Sequence, residues 1–309
     1  MAEDSKTLSL DINFLKFMKD LIPIILLTKD EPNLLQKTID SILERTSYPY
    51  ELFVVDNDSC IGAQLELLQK FEGHPKIQVI YNSKNEWILG FNKAIEIIQK
   101  RTNLSADYLV LTDGDIVVPE PSGESCWLRY LKTQMDQNSC VGKLGLALDL
   151  NSIKDNKLFK NTYQRELAYK TGPQIGDLII APVDTTLAIY RWDLFVFNTF
   201  KMLPGHGSLT RPHYYTCRSK QYEAIHLGWE NYINYSQEQL RDKVRCFTKY
   251  AGYIDPIILN RVDIKTKYFY LWFRYLYRAY WSVRVIFYWF MYITPRFPRR
   301  LNEIQAKRR

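Results

Sequence analysis

The sequence predicts an α/β fold: a doubly wound, mostly parallel sheet with helices on both faces, extended by a C-terminal amphipathic helical tail rich in aromatic and basic residues. Three observations point there. Apolar runs of strand length recur four times before residue 120, as strands covered on both faces require. Segments of roughly ten to twenty residues with helical spacing separate them, which implies βαβ units with right-handed crossovers. Each run ends in a polar cluster, at the strand end where open α/β sheets bind ligands.

The first run, LIPIILLT (Leu21 to Thr28), leads into KDEPN, and Pro32 suits the first turn of a helix through Leu34, Ile39 and Leu43. The second, YELFVVDNDS (Tyr50 to Ser59), precedes a helix over Ala63 to Phe71. The third, KIQVIYN (Lys76 to Asn82), precedes a helix opening at Gly90. The fourth is DYLVLTDGD, ending at Asp115. Thr28 and Asp30, Asp56 to Ser59, Asn82 to Asn85, and Asp113 with Asp115 therefore face one crevice. Later, IIAPVDTTLAIYRW reads as strand, turn, strand, and YEAIHLGW as a further strand. Between them MLPGHGSLTRPHYYT has the composition of a loop over a site.

With 309 residues, 46% of them hydrophobic, the chain can bury one large domain or a domain plus appendage. The boundaries read as an N-terminal helical segment at 1–20, two halves of one domain at 21–120 and 121–262, and a tail at 263–309. Five scattered cysteines without CxxC spacing argue against a disulfide framework or a zinc site. The first twenty residues carry charges throughout and resemble neither a signal peptide nor a membrane span. The net charge of +7 is localised: residues 265–309 hold eleven Lys or Arg against Glu303, which leaves −3 on the first 264.

Two carboxylates at i and i+2 after a strand can turn toward one cation where a glycine lets the chain leave its pleat, and Gly114 allows this. Hard divalent ions such as Mg²⁺ or Mn²⁺ take such oxygens together with substrate phosphates. A turn carrying two solvated acids is the plainer alternative, made less apt by its place at the end of the fourth strand.

The ordered segments PIILLTKDEPNLLQKTIDSIL, ELFVVDNDS, NEWILGFNKAIE and YLVLTDGD resemble family 2 glycosyltransferases with the A-type (GT-A) nucleotide-sugar fold. The resemblance implies metal-dependent transfer of a sugar from a nucleoside diphosphate sugar. It implies that Thr28, Asp30 or Glu31, and Asp56 hold base and ribose, that Asn85, Gly90 and Asn92 line the donor site, and that Asp113 and Asp115 meet ribose and metal. Asp30 and Asn33 as helix caps, and Gly90 and Asn92 as turn and cap, are the competing structural roles. The late Glu-Asp pair of the family is absent. By analogy with A-type enzymes, His226 is the candidate third metal ligand, with Trp229 packing nearby, against the alternative of a core histidine. Asp184 is the candidate catalytic carboxylate on the acceptor side. Arg211, His206, His213 and Arg218 are candidates to close over the diphosphate, Arg211 foremost.

From Tyr268 to Ile293 the tail is dominated by Tyr, Trp and Phe. On a helix Arg274, Arg278 and Arg284 fall within an arc of about 120°. A crossing would cost roughly +2.5 to +3.5 kcal/mol for each charge at mid-bilayer, so lying in the interface is favoured over spanning or packing on the domain. The trailing basic residues add attraction to anionic lipid. The expected reading is a cytoplasmic enzyme, peripheral on the inner face of the cell membrane, making polysaccharide or lipopolysaccharide. Its acceptor is then a lipid-linked glycan, and its partners exclude nucleic acid. A haloacid-dehalogenase-like phosphohydrolase, a sugar-1-phosphate nucleotidyltransferase, and an inactive glycan-binding or membrane scaffold protein are the alternatives. The first would begin its domain with the Asp-x-Asp strand, and here three βα units precede it. The second needs a Gly-rich loop that the first strand lacks.

Overall fold

A computed structural model of the chain describes residues 21–101, 107–123, 125–183, 187–192 and 214–293. Its first half alternates β1 (Ile22–Thr28), α1 (Pro32–Arg45), β2 (Tyr50–Asp56), α2 (Gly62–Phe71), β3 (Ile77–Tyr81), α3 (Phe91–Lys100) and β4 (Tyr108–Asp113). Neighbours β1–β2, β1–β4 and β2–β3 are all parallel, giving the order β3-β2-β1-β4.

The continuous apolar runs are explained by burial on both faces. Ile24, Leu26, Leu52 and Val54 pack in one cluster with Leu35 and Ile39 of α1 and Leu68 of α2. Their neighbours Ile25, Phe53 and Val55 pack in another with Phe91, Ile95 and Ile98 of α3. Successive strand residues point to opposite faces, so each run feeds two layers.

The second half comprises β5 (Ile116–Val117), α4 (Trp127–Gln137), β6 (Val141–Leu148), α5 (Lys160–Tyr169), β7 (Gln174–Ile175), β8 (Leu178–Ile180), β9 (Ala188–Arg191) and β10 (Tyr215–His226). The sheet continues β4-β9-β6-β10-β8-β7, and β5 pairs with β10. Only β6–β10 is parallel in this part; β9 runs antiparallel to both β4 and β6, and β8 antiparallel to β10. The parallel rule therefore holds for the first half, and the second half is mixed. A short apolar run reads the same in either direction, so its orientation depends on partners far away in the chain.

Four helices follow: α6 (Gly228–Asn234), α7 (Gln237–Lys249), α8 (Pro256–Leu259) and α9 (Ile264–Ile293). A reciprocal capping box between Ser236 and Gln239 starts α7. Leu240 and Val244 of α7, Ile254, Leu259, Val262 and Tyr270 of α9 form a separate small core. The Tyr270 hydroxyl accepts from the Ile254 amide at 3.1 Å and donates to the Gly252 carbonyl at 3.3 Å. The outer side of α9 is bare: Trp272, Leu276, Val283, Ile286 and Phe290 are each 63 to 72% exposed. No described helix is long and apolar enough to cross a membrane.

Candidate active site

Strand register brings the first polar residues together. Thr28 lies beside Asp56, and Leu27 beside Asp113. The ladder runs one residue past each strand, with the Asn57, Asn82 and Gly114 amides donating to Thr28, Asp56 and Leu27 carbonyls at 2.9 Å. The Gly114 carbonyl accepts from Thr38 Oγ1 at 2.9 Å, so α1 braces the Asp-Gly-Asp turn from below. A Cβ on Gly114 would stand 2.6 Å from Glu31 Oε1 and 2.8 Å from Thr28 Oγ1, which leaves room there for glycine alone.

Glu31 joins the two aspartates. Burial, then the charges of Asp115 and Asp113, push its carboxyl well above the usual carboxylate range. Thr28 Oγ1 donates to it at 3.2 Å and accepts from Gln64 Nε2 at 3.1 Å. The turn thus concentrates carboxyl groups whose mutual repulsion calls for a cation.

His226 reaches this cluster across more than a hundred residues of chain. The pairing of β5 with the end of β10 sets His226 opposite Ile116, and the Leu227 amide donates to the Asp115 carbonyl at 2.8 Å. His226 Nδ1 then lies 3.7 Å from Asp115 Oδ2, too far for a hydrogen bond. Trp229 stacks on the His226 ring, 4.9 Å between centroids and 2° from parallel. His226 Nδ1 and Asp115 Oδ1 are buried and have no hydrogen-bond partner. Buried polar atoms are ordinarily paired, so two orphaned polar atoms side by side, next to a carboxyl that burial and its acidic neighbours hold above the usual range, fit a divalent cation. Among the described residues no three His, Cys, Asp or Glu side chains converge at metal-holding distance. Asp115 and His226 would supply protein ligands, and phosphate oxygens of a bound diphosphate would share the rest.

The other sequence-predicted residues differ in what they do. Asp56 is 2% exposed; its Oδ2 accepts from the Ser59 amide at 3.0 Å while Oδ1 is buried without a partner. Asp30 has φ of 53° and accepts from the Cys60 and Ile61 amides at 2.7 and 2.9 Å, so it ties β1 to the start of α2 rather than capping α1. Burial opposes its ionisation, but those amides and Lys29 outweigh it and hold the carboxyl below the usual range. Asn85 Oδ1 accepts from Asn57 Nδ2 and from the Trp87 amide, both at 2.9 Å, and holds Trp87 at φ of 54°. Non-glycine residues in that region are uncommon and gather at functional sites. Gly90 is packed: a Cβ would meet Asn57, Asn82 and Leu27 within 2.9 Å. Asn92 is the second residue of α3.

A cavity of about 1240 Å³ opens over these strand ends, with Thr28, Asp30, Glu31, Asn85, Asp113 and Asp115 on its floor and His226 beside them. Its walls include residues that no sequence motif marks, among them Asn161, Gln164 and Arg165 of α5, and Lys243 and Tyr250 at α7. Asn57 organises the floor through four side-chain hydrogen bonds, and in the sequence nothing sets it apart from its polar neighbours. Arg218 corrects an expectation. It belongs to β10 rather than to a loop, and its guanidinium is held by Glu166 at 2.6 Å and the Pro182 carbonyl at 2.7 Å. A buried guanidinium needs such partners, which fixes it in the wall. Asp184, His206, Arg211 and His213 lie outside the described residues.

Three comparisons bear on this geometry. The family described as glycosyl transferase family 2 matches residues 24–191, more than half of the chain. A curated relative, the uncharacterized protein y4gI of Sinorhizobium fredii (strain NBRC 101917 / NGR234), is 32% identical over 130 residues. That match covers 41% of this chain and 13% of the relative, so the chain spans a small part of the relative's length. Among solved structures, the mannosyltransferase PcManGT from Pyrobaculum calidifontis, in complex with GDP-Man and Mn²⁺, aligns with a TM-score of 0.48 and 14% identity over 78% of this chain and 66% of that one. S. aureus TarS aligns with a TM-score of 0.43 and 16% identity over 76% and 41% of the two chains.

Proposed function

The chain belongs to glycosyl transferase family 2, and from that premise we propose that it is a metal-dependent glycosyltransferase. It moves a sugar from a nucleoside diphosphate sugar, a UDP-sugar first among the candidates, to a lipid-linked glycan at the membrane surface. The observation that carries this reading is the pair of orphaned polar atoms, Asp115 Oδ1 and His226 Nδ1, at a cavity floor built from parallel strand ends.

In the reaction the bond from the anomeric carbon to the β-phosphate oxygen breaks, and its electron pair leaves with the phosphate. The acceptor hydroxyl oxygen bonds to that carbon and gives up its proton, for which Asp184 is the candidate acceptor. A bound Mn²⁺ or Mg²⁺ would act as a Lewis acid toward the departing diphosphate. The protein's own part is to gather charge and exclude water. Asp115 and His226 would hold the ion, and Asp56 Oδ1 and the Asn57–Asn85 network offer acceptors and donors for base and ribose. Thermal unfolding tests the reading: a matching nucleoside diphosphate at a hundred times its Kd, with Mn²⁺, should stabilise the protein by about 2.7 kcal/mol. Absence of a shift with UDP, GDP and dTDP alike would remove the proposal.

The acceptor side follows from the tail. Tyr250 lines the cavity and its ring stands 6.2 Å from that of Trp281 on α9, so the cavity rim adjoins the bare aromatic helix. Along that helix Arg274 bonds the Tyr270 and Tyr275 hydroxyls, and Arg284 bonds Tyr280. Such pairing keeps charged heads beside the headgroup-seeking ends of tyrosines. On this reading the enzyme works at the inner face of the cell membrane, with its acceptor delivered from the lipid. Replacing Trp272, Leu276 and Val283 with Glu should weaken sedimentation with phosphatidylglycerol-containing vesicles by at least about tenfold per side chain, from about 1.5 kcal/mol of lost burial each. Undiminished binding would exclude the interfacial role. Substitution is preferred to truncation after Val262, which would also strip Tyr270 from the small helical core.

A further inference from the structure

The chain between β3 and α3 is held by one buried side chain. Asn57 is 3% exposed and directly follows β2. Its Oδ1 accepts from Asn82 Nδ2 at 3.2 Å and from the Glu86 amide at 3.0 Å, while its Nδ2 donates to Asn85 Oδ1 at 2.9 Å and to the Trp87 carbonyl at 3.2 Å. Asn85 Oδ1 in turn accepts from the Trp87 amide at 2.9 Å. Both polar backbone groups of Trp87 are thereby engaged in holding it at φ of 54°. For a bulky residue that conformation costs on the order of 1–3 kcal/mol, and it persists only where the surroundings over-determine it.

Other tryptophans have their indoles engaged by the protein. Trp127 Nε1 donates to Thr46 Oγ1 at 2.9 Å, Trp281 Nε1 to the Lys249 carbonyl at 2.8 Å, and Trp229 stacks on His226. Trp87 differs: among the described residues its indole makes no ring stacking, cation contact or hydrogen bond. It is half-buried and lines the cavity. Its place along the sheet shows which part of a ligand it would meet. With the order β3-β2-β1-β4 and neighbouring strands about 4.8 Å apart, the end of β3 lies about 14 Å from the end of β4. The Asp115–His226 pair sits at the β4 end, so Trp87 stands well away from the diphosphate. Beside it, at the end of β2, is Asp56, whose Oδ1 is buried without a hydrogen-bond partner. Such an acceptor calls for an N–H or O–H donor from a ligand.

Resting on the proposed function, we infer that Trp87 is the stacking platform for the nucleobase of the sugar donor. A planar heteroaromatic ring with an N–H on its edge satisfies both unengaged groups at once: the indole takes its face and Asp56 its edge. A sugar ring has no such flat face to cover the indole. Base–aromatic stacking contributes about 1–3 kcal/mol and accepts any base, so Trp87 supplies affinity and leaves the choice of base to edge contacts. The Asn57–Asn85 clamp fixes the backbone that carries the indole before the donor arrives, which lowers the ordering cost of binding. Trp87 touches no reacting atom; it is a donor-binding residue.

Calorimetric titration joined to tryptophan fluorescence separates this role from a structural one. Wild type, Trp87→Phe and Trp87→Ala would each be titrated with UDP, GDP, dTDP and inorganic pyrophosphate in the presence of Mn²⁺. In Trp87→Ala the preferred nucleoside diphosphate should bind about tenfold or more weakly, while pyrophosphate binds as in the wild type. Trp87→Phe should recover most of the affinity, because a smaller aromatic face remains. Indole emission should change when the wild type binds the nucleotide, and that change should be lost in Trp87→Phe although the nucleotide still binds. Unchanged nucleotide affinity in Trp87→Ala overturns the inference. An equal loss for nucleotide and pyrophosphate does so too, since it marks a packing role, as does an emission change that survives in Trp87→Phe. If all three nucleotides and pyrophosphate fail to bind the wild type, the proposed function falls together with this inference; if a nucleotide binds and only the Trp87 effects are missing, the proposed function stands without it.

Discussion

Asp115→Asn should lower transfer activity by about a thousandfold or more, about 4 kcal/mol of transition-state stabilisation, while the protein stays folded. The side chain keeps its shape and loses its charge. In the wild type that charge lies beside Asp113 and Glu31, where it adds to the repulsion that raises the Glu31 carboxyl. Removing it relieves the cluster, so the melting temperature in chelator should equal or exceed that of the wild type. The Mn²⁺-dependent rise in melting temperature should vanish with the activity. Full activity in this variant, or a retained Mn²⁺ response, would show that the ion binds elsewhere.

Gly228→Ala should have nearly as large an effect by a steric route. Gly228 opens α6 directly after His226 and Leu227, and a Cβ there would overlap the Asp115 Oδ2 atom and stand 3.0 Å from the His226 ring. A short carboxylate on a braced turn has little freedom to retreat, because the Asp115 carbonyl is bound by Leu227 and the Gly114 carbonyl by Thr38. The Asp115–His226 pair must open, and a misplacement of about 1 Å is enough to cost about a hundredfold in rate. Steady-state kinetics at saturating Mn²⁺ check this: kcat should fall about a hundredfold or more, with thermal stability reduced by no more than about 2 kcal/mol. Wild-type kcat in Gly228→Ala would mean that the turn is not held as tightly as its hydrogen bonds imply.

Much of the first half of the fold was open to inspection of the chain. Ile24, Leu26, Leu52 and Val54 alternate faces with Ile25, Phe53 and Val55, and only a sheet covered on both sides makes such unbroken apolar runs necessary. The polar residues after each run then had one place to go. His226 with Trp229 was suggested by analogy, and their stacking follows from the turn between β10 and α6. Helix α7 has a capping box and helical spacing in its residues, and it walls the cavity. Nothing local in the chain ties that helix to the strand ends.

By itself, then, the sequence determined the strands of the first half, that those four lie parallel, and that their polar ends share one edge; β6, Val141–Leu148, it did not mark. These follow from short-range patterns of burial and turn chemistry. Tertiary structure alone decided the mixed pairing of β9 and β10, the retirement of Arg218 into an ion pair with Glu166, and the closing of α7 over the strand ends as a cavity wall. Each of those depends on contacts between residues far apart in the chain, whose attraction is set by which surfaces fold against one another.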